Sequence, residues 1–122
     1  MAKPKIKTFE DACKALKLDP VKVLPKVSGM PKHHQEAMIA HAQLVIIAEA
    51  LNGGWKPDWD NHNEWKYYPW FRMSGSGLSF YGYDGSSSDS GVGSRLCFKS
   101  SELAEYAGKQ FIDLYKKSYL LS

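Results

Sequence analysis

The stretch from Pro31 to Trp55 reads PKHHQEAMIAHAQLVIIAEALNGGW. Within it Ala37, Ala40, His41, Leu44, Ile47, Ala48 and Leu51 recur at three- and four-residue spacing, the period of one helix face. Met38, Val45 and Ile46 widen that stripe until the second half is apolar nearly all round, as befits a helix at the centre of a domain. Asn52-Gly53-Gly54 ends it with residues that accept left-handed backbone angles. A helix from about Pro31 to Leu51 therefore decides the class, because everything else must pack around it.

Upstream, Thr8 followed by Asp11 reads as a capping box, and Phe9, Ala12, Cys13 and Leu16 continue at helical spacing. Asp19-Pro20 reads as the start of a second, short helix, broken by Pro25 and Ser28-Gly29. Residues 1–7 carry Lys3, Lys5 and Lys7 and read as a flexible basic tail; with Lys14 and Lys17 they form a solvated face.

Downstream the composition changes. Every tryptophan (Trp55, Trp59, Trp65, Trp70) lies within residues 55–83, along with Tyr67, Tyr68, Phe71, Phe80, Tyr81 and Tyr83. Glu64 to Met73 reads as a strand, with Pro69 marking it as an edge. Gly75 and Gly77 supply a turn, and Leu78 to Tyr83 a second strand. Gly82 to Ser94 is a polar loop, Arg95 to Lys99 a third short strand, and Ser100 or Ser101 caps a closing helix with Leu103, Ala107, Phe111 and Leu114 on one stripe. The expected fold is α+β: N-terminal helices, a small antiparallel sheet and a closing C-terminal helix around one core, as a single domain over residues 1–122. Trp55, Trp65 and Trp70 are expected in that core, and Tyr68, Tyr81 and Tyr83 outside it.

The formal charge of +3 is too small to mark a polyanion-binding protein by itself. Cys13 and Cys97 make neither a CxxC pair nor a zinc spacing and read as small buried hydrophobes. His34 and His41 are two helical turns apart, too far to chelate one ion alone. The alternation Asp58, Asp60, His62, Glu64 lacks the glycine and the terminal glutamate of a calcium loop, and polar turn residues account for it. There is no nucleophile elbow, GxGxxG or P-loop; Ser74-Gly75-Ser76-Gly77 is followed by neither a lysine nor a helix. The expectation is a non-enzymatic protein with no catalytic residue, metal or cofactor. No stretch approaches the about 20 apolar residues of a membrane span, and no apolar run follows the first lysines as in a signal peptide. That predicts a cytoplasmic protein, with incorporation into a virion left open.

The loop at 82–94 is built almost wholly of Gly, Ser, Asp and Tyr. Tyrosine offers contact area at low entropy cost, and Ser, Gly and Asp offer adaptable hydrogen bonds, a composition shared with binding loops. Tyr81, Tyr83, Asp84, Ser86, Ser87, Ser88 and Asp89 are the candidate contact residues, for a protein or glycan ligand. A second reading, nucleic-acid binding, would use Lys56, Lys66, Arg72 and Arg95 with exposed aromatics. A third is a small structural or assembly protein, for which formation of an oligomer would be the sign.

The phrases AEALNGGWKPDW (48–59), KYYPWF (66–71) and VGSRLCFKSSELAEYAGKQF (92–111) carry a resemblance. The chain resembles a group of short, mostly uncharacterised proteins of gut Bacteroides-type bacteria, their phages and mobile elements. In that group the segment before VGSRLCFKS differs greatly between members, a pattern similar to the variable-protein targets of diversity-generating retroelements. The strand before it reads Gly77-Leu78-Ser79-Phe80, with leucine where the group has phenylalanine. Adenine randomisation of AAC or AAT codons reaches every residue from Tyr81 to Gly91. The helix that follows the loop departs from lectin-like variable proteins, in which the variable stretch lies nearer the chain's end, so the resemblance does not imply a lectin fold. What it implies is a ligand-recognition protein of a phage or mobile element.

Overall fold

The computed structural model describes residues 5–75 and 77–121. Its elements are α1 (Phe9–Ala15), α2 (Lys32–Asn52), β1 (Lys66–Ser74), β2 (Gly77–Ser86), α3 (Ser101–Gln110) and α4 (Ile112–Tyr119). The fold is α+β: α2 packs on α1 and α4, and α3 lies against both strands of the hairpin.

Local chemistry accounts for the helix ends. The Asp11 N–H donates to Thr8 Oγ1 at 3.0 Å, and Asp11 Oδ2 accepts from the Thr8 N–H at 3.2 Å, completing the capping box. The Lys7 N–H, which also donates to Asp11 Oδ2 at 3.0 Å, and then Thr8 hold the Asp11 carboxyl below its ordinary pKa. The helix closes through Lys17 at φ 58°, with Leu18 N–H bonded back to Cys13 O at 2.8 Å. This is a Schellman closure without glycine. The expected second helix at Asp19-Pro20 is a single turn: Asp19 Oδ1 accepts from Val21 and Lys22, but the nucleus does not propagate before Pro25. Helix α2 runs as its pattern predicts and ends on Gly53 at φ 58°. Residues 1–4 of the expected basic tail, and so Lys3, lie outside the described residues. The rest of that tail is tied to α3 by Tyr106 Oη donating to Ile6 O at 2.6 Å and Gln110 Nε2 donating to Lys7 O at 2.9 Å.

The core is built from Phe9 and Cys13 of α1, Leu44, Ile47 and Leu51 of α2, and Leu96, Phe98, Leu103, Phe111 and Tyr115 from the C-terminal half. Both cysteines are buried and free, and burial pushes the Cys97 thiol up to about 11, so it is a packing group. Ser100 caps α3 by accepting from Leu103 N–H, and the closing helix divides at Phe111, whose φ of −110° is not helical and whose ring is buried.

The third strand expected over Arg95–Lys99 is reduced to one bridge. Tyr67 and Phe98 exchange both main-chain hydrogen bonds, at 3.0 and 2.6 Å, and pairing goes no further. Cys97 and Lys99, which flank the bridge, turn their main-chain groups away from β1, and there Asn52, buried at the end of α2, donates its amide to Cys97 O at 2.9 Å and accepts from Lys99 N–H at 3.1 Å. A helix side chain thus satisfies the outer edge of the segment in place of a neighbouring strand. Pairing with β1 stops because the next position on the edge that meets Phe98 is Pro69, whose missing N–H cannot donate and leaves no donor orphaned beyond the bridge.

Helix α3 and the hairpin approach closely at Gly108. A Cβ there would lie 2.6 Å from the Phe80 ring and 2.8 Å from Pro69 Cβ. Gly108→Ala should therefore lower stability by about 1–2 kcal/mol in a urea melt, overpacking outweighing the ~1 kcal/mol that alanine gains as a helix former. An unchanged or raised midpoint would show that helix and hairpin are not in contact.

Candidate functional site

The hairpin sets the site. Register runs from Lys66 opposite Ser86 to Ser74 opposite Gly77, interrupted between Trp70 and Phe71, where Tyr81 is the extra residue of a bulge. On β1 the residues alternate. Pro69 is buried, and Phe71 packs on Tyr115 with ring centroids 4.9 Å apart, so parity turns Tyr68, Trp70 and Arg72 the other way. Trp70 is 49% exposed and stands 6.0 Å from the Tyr68 ring, while the Arg72 guanidinium lies 4.5 Å over the Tyr81 ring. Tyr81 and Tyr83 are 62% and 49% exposed, as expected for outward residues, and Tyr68 is half-buried. Trp65 at 51% and Trp70 contradict their expected core positions, and Trp55 is half-buried. Phenylalanines 71, 80 and 98 and Tyr115 of α4 fill the space assigned to the tryptophans.

Strand β2 is longer than its pattern suggests and extends to Ser86. Tyr83, Asp84 and Ser86 thus belong to a paired strand, and the irregular segment begins at Ser87. That segment is tied down. Lys66, 2% exposed, shares the three N–H groups of Nζ among four main-chain carbonyls: Asp58, Asn61 (3.2 Å), Glu64 (2.8 Å) and Ser87 (2.7 Å). Its charge is balanced by Glu64 Oε1 at 3.5 Å, and the Trp59 ring lies 5.1 Å away. Glu64 in turn accepts from the Asp58 N–H at 2.7 Å and from Trp55 Nε1 at 3.3 Å. Across the gap, His62 Nδ1 meets Ser88 Oγ at 2.6 Å, Ser88 Oγ donates to Trp59 O, and Trp59 Nε1 donates to Ser94 Oγ at 3.0 Å. Residues 58–64 and 87–94 therefore form one clamped pair of loops.

Of the seven candidate contact residues, Tyr81, Tyr83, Asp84, Ser88 and Asp89 are exposed, and Ser86 and Ser87 are half-buried. Ser86 Oγ accepts from Asp89 N–H, Ser87 gives its carbonyl to Lys66 and Ser88 is held by His62, so these serines shape the loop as much as they present it. The four cations do not form one surface. Lys66 is enclosed and unavailable to phosphate, Arg72 covers Tyr81 on the hairpin, and Lys56 and Arg95 share a separate cavity. Among the described residues no three His, Cys, Asp or Glu side chains meet as a metal site, and none of the helices is long and apolar enough to cross a membrane. Asp58 and Asn61 instead cap their own turns, at Asp60 and Asn63.

Sequence reasoning missed the clamp, because Lys66 heads a strand and its partners are main-chain carbonyls, which carry no residue signature. It missed Trp70 on the surface, although the parity of Pro69 and Phe71 could have placed it there.

No protein-family model matches this chain, and neither a curated protein nor a solved structure does.

The clamp makes the loops acid-sensitive. The Asp58 N–H, then Trp55 and Lys66, hold the Glu64 carboxyl below its ordinary range. A carboxylate with a depressed folded-state pKa contributes stability that is present above its unfolded value, near 4.5, and lost as pH falls through the folded value. Glu64→Gln should lower stability at pH 7 by about 1 kcal/mol and reduce the loss between pH 5 and pH 3 relative to wild type, read from urea midpoints. Parallel pH profiles for the two proteins would mean that Glu64 is not held as described.

Proposed function

We propose that the chain is a non-enzymatic recognition protein that presents Tyr81, Tyr83 and Asp84, rimmed by Ser86–Asp89, to a protein or glycan ligand. Trp70 and Arg72 extend the face that carries Tyr81 and Asp84, and Tyr83, opposite Pro69 and 5.7 Å from the Tyr67 ring, presents its exposed part at the other face of the same strand. The observation that carries this reading is the pairing of large exposed aromatics with a fixed base. Tyr81 and Tyr83 stand out from a strand whose far end is bolted by Lys66 and whose inner rings are packed on α3 and α4. Rigid aromatic anchors lose little entropy on binding, and neighbouring hydroxyls and carboxylates supply adaptable polar contacts. The likeness to variable proteins of phages and mobile elements supports the same division, a constant scaffold beneath residues free to change. Carriage on a virion would fit that role.

This division has a steric signature. Gly85 lies inside the variable-looking segment, yet a Cβ there would sit 2.8 Å from the Lys66 carbonyl oxygen. Deep sequencing of the locus in its source population should show substitutions at 81, 83, 84 and 86–89, with Gly85 and Lys66 constant. On glycan and peptide arrays, Tyr81→Ser/Tyr83→Ser should reduce any wild-type signal at least tenfold. Variation no greater than in the flanks, together with array binding indifferent to both tyrosines, would refute the reading.

A further inference from the structure

A second site lies away from the hairpin's exposed tyrosines, at the C-terminal end of α2. A cavity of about 440 Å³ opens there between the last turns of the helix and the segments at 55–57 and 94–95. Its lining includes Glu49, Trp55, Lys56, Pro57, Ser94 and Arg95. From the geometry and charge of this cavity we infer that it binds one nucleotide, with the base against the Trp55 indole, the phosphate between Lys56 and Arg95, and Glu49 accepting from the base edge or a sugar hydroxyl.

Three observations converge on that ligand. The volume falls within the range of small-molecule sites and suits a single nucleotide. Trp55 is half-buried and its Nε1 donates to Glu64 Oε2 at 3.3 Å, which fixes the ring as a flat wall without using its face. Stacking of a base on such a ring is worth roughly 1–3 kcal/mol. Lys56 and Arg95 are exposed and, among the described residues, neither they nor Glu49 is in an ion pair.

The electrostatic balance favours an anion. Against the two cations stand the Glu49 carboxylate and the partial negative charge at the helix C-terminus. Lys99 offsets the latter, since its Nζ lies 3.8 Å from where a Gly53 Cβ would be. The carboxylate then acts as a filter. It can only accept hydrogen bonds, so it disfavours an anion that brings no donor, such as phosphate alone, and suits a nucleotide, whose base or sugar supplies one.

The test uses the full chain in calorimetric titrations at low salt, with GMP, AMP, UMP, inorganic phosphate and a short single-stranded DNA as probes. A mononucleotide should bind at least tenfold more tightly than phosphate. Lys56→Ala/Arg95→Ala should weaken it tenfold or more, and Arg72→Ala should leave it within twofold. All of these positions are exposed, and an unchanged circular dichroism melt verifies folding. Binding by mononucleotides identifies free nucleotide as the source. Binding by the oligonucleotide alone, weakened by the same double substitution, identifies a nucleotide within a single strand. No binding by either probe, or binding indifferent to Lys56 and Arg95, overturns the proposal. Failure here leaves the hairpin reading untouched, because the two sites use different residues.

Discussion

One buried ammonium group organises the irregular half of this molecule. Lys66 Nζ sits among the carbonyls of Asp58, Asn61, Glu64 and Ser87, with a single carboxylate close by. Removing a lysine charge from water costs several kcal/mol unless charge and hydrogen bonds replace the lost hydration. Here four carbonyl dipoles and Glu64 do so, and in return the ammonium satisfies carbonyls from two segments that have no regular secondary structure. The position also matters. Lys66 opens β1 opposite Ser86, which closes β2, so the group that binds the loops is anchored in the last rung of the hairpin.

From that point the rest of the architecture can be followed. The hairpin is fixed at one end by the clamp, in the middle by the contact of Gly108 with Phe80 and Pro69, and laterally by the single bridge to Phe98. Asn52 fastens the strand-like segment after the loop to the central helix, so the ends of residues 87–96 are held by elements of the core. A loop of glycine and serine would ordinarily lose much entropy on ordering. Here the serines are spent on internal bonds, with Ser90 Oγ accepting from both Val92 and Gly93 N–H. The exposed aromatics next to it are therefore presented on a preorganised base.

The helical frame was legible because it rests on local rules: the Thr8–Asp11 box, the stripe of α2, its Gly53 stop and the Ser100 cap all follow from spacing and side-chain chemistry. The class α+β and the antiparallel hairpin followed from the same patterns. What sequence could not supply was tertiary competition. Asn52 satisfies the outer edge of the 96–99 segment, an effect that depends on a residue 45 positions from its partner. Tryptophan suggested core by size alone, whereas parity around Pro69 and Phe71 turned Trp70 to solvent. Lys66 read as a surface cation for nucleic acid because charge predicts exposure, and only the fold shows the carbonyls that make its burial tolerable. Of the candidate site, the outward tyrosines were legible from composition, and the tethering of the serines beside them was not.

The central claim is that the Lys66 ammonium holds the two loops in place, and Lys66→Met tests it most directly, since methionine keeps much of the apolar stem and removes the charge. Amide hydrogen exchange should report accelerated exchange at Asp58, Asp60, Asn63 and Asp89, with protection in α2 lowered only by the global loss, roughly 3–5 kcal/mol. Unchanged exchange in both loops together with wild-type stability would contradict the account, and would mean that the loops are held by their own side chains without the buried charge.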